Sequence, residues 1–206
     1  LNNTAVGYFA LSALTTGDYN VAIGSLAGDA ITSGELNVAI GGQALSAATT
    51  TGSNVAIGYQ SGNAYTTETG KSVSVGTYAN AVATGNYNVS VGFGAQRGTT
   101  SGANNVAVGF QALSSADGGG TALTGGYNVA IGYQAGFNLG GAADNNICIG
   151  ANTANPATTQ DELILIGTLA GAAINDDAAD GTVAIGHSAL TALTSGIANV
   201  AMGYQA

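Results

Sequence analysis

Few residues in this chain could do chemistry. Its 206 residues include eleven acids, one histidine (His187), one cysteine (Cys148) and two cations, Lys71 and Arg97. Most acids fall at turns, as at Asp18, Asp29, Glu35, Glu68 and Asp117; the only dense group is Asp176, Asp177 and Asp180, with Asp161 and Glu162 upstream. Clustered carboxylates suit a hard cation such as calcium. Neither the EF-hand spacing nor the Gly-Gly-x-Gly-x-Asp calcium repeat occurs, however, so solvated turn acids are expected and no metal is assigned. Glycoside cleavage needs two carboxylates on either side of a bond, and only the Asp161–Asp180 region could supply them. A lone cysteine rules out an intrachain disulfide framework. His187 takes a place filled elsewhere by Tyr8, Tyr59, Phe93, Phe110, Tyr133 and Tyr204, and reads as a surface substitution in an aromatic column. Those six aromatics are the candidate surface contacts. Sugars stack on such ring faces, and a packed flank would use the same residues; both readings stay open. No catalytic or cofactor-binding residue is assigned.

The background composition is far from that of an ordinary globular domain. Glycine supplies 34 residues, charged residues 6%, and tryptophan is absent, against roughly 7% glycine and about a quarter charged residues in typical domains. The longest apolar runs, such as Leu163-Ile164-Leu165-Ile166, are far shorter than the roughly 20 residues of a spanning helix. A Val or Ile pair recurs throughout, which disordered chains lack. A net charge of −9 argues against a nucleic-acid or anionic-membrane surface. The stretch carries no signal peptide, lipidation motif or membrane anchor, so any export signal is expected outside it.

A repeat runs from end to end. Glycines after a Val-x-Ile pattern stand at Gly7, Gly24, Gly41, Gly58, Gly76, Gly92, Gly109, Gly132, Gly150, Gly167, Gly186 and Gly203, mostly 17 residues apart, with one 23-residue interval before Gly132. That interval holds an insertion, Ser114 to Gly120, expected to bulge from one face. Three residues before each glycine stands Val or Ile, with Thr4 the exception, and one before it Val, Ile or Met. Between them lies a small residue in all copies but that of Leu165. Alternation at period two predicts a short strand. Such a strand buries a face only by stacking on its neighbours as parallel coils. At about 4.8 Å per coil, about twelve coils make a rod of roughly 58 Å.

Each coil is expected to hold two or three short strands, with Val and Ile on the inner face. Glycines of Thr-Gly and Ser-Gly pairs (Gly17, Gly34, Gly52, Gly70, Gly85, Gly102, Gly125, Gly196) are expected to turn corners with positive φ, and the glycine after Ile to mark the next corner. Asn leads the strand in nine copies, which predicts a stacked amide ladder. The small residue inside the strand forms one column. A second, from Ala10 to Ala206, lies three residues after the glycine. One is expected to fill a narrow interior and the other to admit a second chain closely, most simply in a parallel homotrimer. A thin solenoid that simply needs Ala is the plainer alternative. Helix is excluded by glycine and β-branched content.

The unit Asn-Val-Ala-Ile-Gly-Tyr-Gln-Ala, seen with small changes at 54–59, 128–135 and 199–206, resembles the head repeats of trimeric autotransporter adhesins, the YadA-like head. Similar repeats occur in phage tail fibres and related surface fibres. The resemblance covers essentially the whole chain. It implies a left-handed parallel β-roll, three chains side by side, Val and Ile inside each chain, Ala near the trimer interface, and no catalytic residues. Departures are a coil longer than that of typical adhesin heads and the absence of neck, stalk and anchoring barrel. The expectation is therefore one continuous all-β parallel solenoid over residues 1–206, an excerpt of a longer fibre that works outside the cell, on a cell surface or a virion. It would hold shape and present surfaces to a receptor or polysaccharide that the sequence does not identify. The alternatives are a carbohydrate-cleaving β-helix and an ice-binding solenoid. The second would rest on Thr15-Thr16, Thr49-Thr50-Thr51, Thr66-Thr67 and Thr99-Thr100, which fall in corners.

Overall fold

The structure is a computed structural model and describes residues 2–65, 70–82, 84–115, 122–154, 159–174 and 179–206. Twelve three-residue strands form one parallel sheet in sequence order: β1 (Thr4–Val6), β2 (Val21–Ile23), β3 (Val38–Ile40), β4 (Val55–Ile57), β5 (Val73–Val75), β6 (Val89–Val91), β7 (Val106–Val108), β8 (Val129–Ile131), β9 (Ile147–Ile149), β10 (Ile164–Ile166), β11 (Val183–Ile185) and β12 (Val200–Met202). The register stacks like on like, with Val21 on Val38, Ala22 on Ala39 and Ile23 on Ile40. The chain is a parallel β-solenoid, as the spacing predicts. Each coil contributes one named strand, not two or three. Turns make up most of the rest, and they recur at fixed places. The residue two before the strand, for example, lies in the left-handed region at Tyr19, Leu36, Ser53, Lys71 and Tyr87, with φ between 58° and 62°. Such backbone persists only where surroundings over-determine it. Here the neighbouring coil does so: the Leu36 N–H donates to the Asp18 carbonyl at 3.0 Å, and that of Ser53 to Glu35 at 2.9 Å.

Inside and outside are the reverse of the expectation. The middle strand residue is the buried one: Ala22, Ala39, Ala56, Ala107, Ala130 and Ala184 are 0–1% exposed, while the flanking Val and Ile are half-buried or exposed. The second small column, Ala27, Ala44, Ala79, Ala95, Ala112, Ala135, Ala170 and Ala189, is also fully buried. Both Ala columns therefore fill the coil, which is too narrow for a pair of β-branched columns. What widens it is an alternation of large and absent side chains. Leu11, Gly28, Leu45 and Gly62 follow one another four residues after successive strand glycines. A Cβ on Gly28 would lie 2.9 Å from Ile31 Cδ1 and 3.1 Å from Leu11 Cδ2; one on Gly62 would lie 2.9 Å from Tyr65 Cε2 and 3.1 Å from Leu45 Cδ2. Each glycine thus leaves room for two large neighbours. Leu165, the exception in the small column, is accommodated in the same way, since a Cβ on Gly171 would come within 2.8 Å of its Cδ2.

The corner glycines need a second correction. Among the Thr-Gly and Ser-Gly glycines only Gly196 has a positive φ. Gly17 and Gly34 are small because the next coil's carbonyl oxygen occupies the space a Cβ would take. The glycines after Ile do carry the corner, with Gly24 at φ 136°.

The asparagine ladder forms as predicted. Asn128 Oδ1 accepts both the backbone N–H and Nδ2 of Asn146 at 3.0 Å, while its own Nδ2 donates to Asn105 Oδ1 at 3.0 Å and to the Ala143 carbonyl at 2.8 Å. The amide is fully buried. Asn128→Ala would strand donors and acceptors on both neighbouring coils. We expect a loss of about 2–4 kcal/mol, read from the urea midpoint.

Candidate interaction surface

The reversal puts an apolar face on the outside of the sheet. Two columns of Val and Ile run its length, and Ile23, Ile57 and Ile131 remain 36–40% exposed. Around the glycine corner lies the aromatic rank. On the other side, ahead of the strand, Tyr19, Leu36, Tyr87 and Tyr127 are exposed. The face is thus a strip of aliphatic side chains with aromatics along both margins.

Within the rank, Phe93 and Phe110 stack with centroids 5.4 Å apart, and Phe110 and Tyr133 at 5.3 Å, nearly parallel. Tyr59 reaches Phe93 through Tyr78, edge to face at 5.6 Å and 6.0 Å. Tyr78 escaped the sequence reading because it stands two residues after Gly76, in the column of Gln43, Gln60, Gln111 and Gln134, while Thr77 takes the aromatic place. Near the ends, Tyr8 packs on Phe9 at 4.4 Å and Tyr204 on His187 at 5.3 Å. From Phe93 to Tyr133 the ring faces meet one another along the axis, leaving mainly edges outward. That favours a packed flank over a sugar-stacking platform. Gln43–Gln60 and Gln111–Gln134 amide pairs, at 2.7 Å and 2.9 Å, stack beside it.

The remaining candidates are held by structure. Asp144, Asp161 and Asp180 stack in one corner column, each accepting the N–H of the coil before it: Gly126 to Asp144 at 2.5 Å, Asp144 to Asp161 at 2.7 Å, Asp161 to Asp180 at 2.8 Å. Asp176, Asp177, Glu68, Asp117 and most of the insertion lie outside the described residues. Among the described residues no group of three His, Cys, Asp or Glu side chains could hold a metal ion. His187 Nδ1 lies 3.0 Å from Ser188 Oγ at the surface. Corner threonines spend their hydroxyls on the next coil, Thr15 on the Thr32 carbonyl at 2.9 Å and Thr32 on that of Thr49 at 3.2 Å. No helix among the described residues is long and apolar enough to cross a membrane.

Cys148 points into the coil, 1% exposed, and so does not meet a copy of itself on the outer face. Burial pushes its thiol from the ordinary 9.0 up to about 12. Burial likewise raises the phenol of Tyr65 above its ordinary 10.0. A raised folded pKa gives stability that is present below the unfolded value and lost as pH rises toward the folded one. Stability should therefore fall from about pH 9 upward. Cys148→Ala should remove the part of that decline that begins near pH 9 and leave the part due to Tyr65. In the native protein the thiol should resist a water-soluble disulfide reagent and react once urea unfolds the chain.

Comparison of the chain with known protein families, with curated proteins and with solved structures gave no match.

Proposed function

We propose that this chain is a structural or adhesive fibre segment that works as a parallel homotrimer outside the cell, its apolar sheet face turned to the fibre axis. The observation that carries this is the outward Val and Ile face on twelve strands in register. Soluble monomers rarely leave contiguous apolar patches larger than a few hundred Å² uncovered. A second copy of the same rod is the natural cover, because parallel copies share one repeat and every coil meets an equivalent coil. Rotational symmetry closes such an assembly, and the resemblance to adhesin heads selects three chains. The acidic corners and polar turns then face solvent, where a host surface or polysaccharide would be met.

Native mass measurement tests it. The expected mass is about 59 kDa, three times the 19.8 kDa of one chain. A stable 19.8 kDa species at micromolar concentration would overturn the proposal.

A further inference from the structure

The interior changes character partway along the rod. Buried apolar side chains form one cluster from Leu11 to Tyr65 and another from Ala95 to Ala189, with no member in common. Between them Ser74 and Ser90 replace Ala in the strand column, and Asn80 and Gln96 are the polar residues of a column held elsewhere by Leu, Gly and, once, Ala154; all four are fully buried. The ladder thins at the same level. Ser72 stands in for Asn, so the step to Asn88 is a single bond from its N–H to Ser72 Oγ at 3.1 Å. The repeat length slips here as well, to 18 and then 16.

These polar groups pair within two sets, with the buried Asn80 Oδ1 left without a partner. In the first, Ser61 Oγ donates to the Ser74 carbonyl at 2.8 Å, the Tyr65 hydroxyl lies 3.0 Å from Ser74 Oγ, and Asn80 Nδ2 donates to that hydroxyl. In the second, Ser90 Oγ donates to Gln96 Oε1 at 2.5 Å, and Gln96 Nε2 reaches Asn88 Oδ1 at 3.4 Å. Between the sets stands Ser72, whose hydroxyl bonds the Tyr65 phenol and accepts the Asn88 N–H at 3.1 Å.

We infer that this layer is a built-in boundary, at which the roll parts into two separately cooperative blocks, one ending with the coil of β5 and the other starting with that of β6. In a repeat rod each coil touches only its neighbours, so stability is a sum of coil terms and coil–coil terms. The β5–β6 step keeps its backbone bonds and the outer Val73–Val89 and Val75–Val91 pairs, but its interior sets polar Asn80 and Gln96 where steps such as Leu11–Gly28 and Leu45–Gly62 interlock Leu with Gly. Net hydrogen-bond contributions of about 1 kcal/mol do not replace that apolar burial. The boundary belongs to the single chain and does not depend on how many chains the fibre contains.

Hydrogen exchange read by mass spectrometry on the whole chain, across a urea series, tests the inference. Peptides within 20–60 and within 105–150 should lose protection at different urea concentrations, with those spanning 72–96 opening first. The variant Ser74→Ala/Asn80→Leu/Ser90→Ala/Gln96→Leu should merge the transitions. Its leucines suit the backbone, since Asn80 and Gln96 sit at φ 51° and 52° and Leu45 and Leu113 hold the same column position at 52° and 48°. If that variant does not fold, the wild-type comparison alone decides. One transition shared by all wild-type peptides would overturn the boundary.

Discussion

Ile57→Lys combined with Ile131→Lys should convert the proposed trimer to monomers while leaving the roll intact. Both side chains stand on the outer face, at 36% and 40% exposure, so neither occupies the coil interior. In a free monomer a lysine at such a half-exposed place keeps its ammonium in water and lays its stem along the neighbouring Val and Ile. In a closed trimer each substitution brings three cations toward one axis in an apolar seam. Burying an unpaired charge costs several kcal/mol after relaxation. Six such charges per trimer oppose closure of the seam. Sedimentation should show 19.8 kDa, and far-ultraviolet circular dichroism should keep its β signature. Ala56→Lys and Ala130→Lys, one residue away and fully buried, should instead destroy the coil. If the outer lysines unfold the chain and the inner ones leave it folded, the assignment of faces is wrong. A lysine variant that keeps the mass of the wild type would remove the Val and Ile face from the proposed interface.

The stacking of coils was legible in the sequence because a 17-residue period sets like above like, and the strand register follows from it. Which face looked inward was not. A period of two separates the Val and Ile columns from the Ala column, but it is symmetric with respect to inside and outside. The assumption that the strand's own Val and Ile lie inside fails here because Leu and Ile of other positions, such as Ile31, Leu45 and Leu113, already fill the interior and leave room only for Ala in most strands. A signal was present in the alternation Leu11, Gly28, Leu45, Gly62, which makes sense only in an interior where large side chains must take turns. The asparagine ladder was legible because identical amides at one register have few other uses. The interlock of Tyr78 with Tyr59 and Phe93 was not, since Tyr78 reaches the rank from the neighbouring column, two residues after its glycine. The polar boundary was half visible, as Ser74 and Ser90 in the small column. Its meaning needed the burial of Asn80 and Gln96.

Adjacent glycines should behave in opposite ways when each is changed to alanine. Gly41 closes β3 at φ 131°, where L side chains are strained, and a Cβ there would sit 2.6 Å from the Gly58 carbonyl carbon of the next coil. That neighbour is backbone, held by its own bond from the Gly58 N–H to the Ile40 carbonyl at 2.7 Å, and it cannot step aside without separating two coils. Strain of about 1–3 kcal/mol from the dihedral alone adds to the overlap. The expected loss for Gly41→Ala is therefore about 3 kcal/mol or more, in the range that marks a named structural fault. Gly42 has no positive φ, and a Cβ on it would meet nothing nearer than Tyr59 Cδ2 at 3.4 Å, the rim of a ring that can shift, with the Ser25 carbonyl oxygen at an ordinary 3.9 Å. Gly42→Ala should stay within about 0.5 kcal/mol of wild type. Urea midpoints of the two variants, measured side by side, separate close approach of stacked backbones from any general need for glycine. Equal losses would mean that neither the dihedral nor the neighbouring carbonyl sets the repeat, and the reason for glycine in all twelve copies would have to be sought elsewhere.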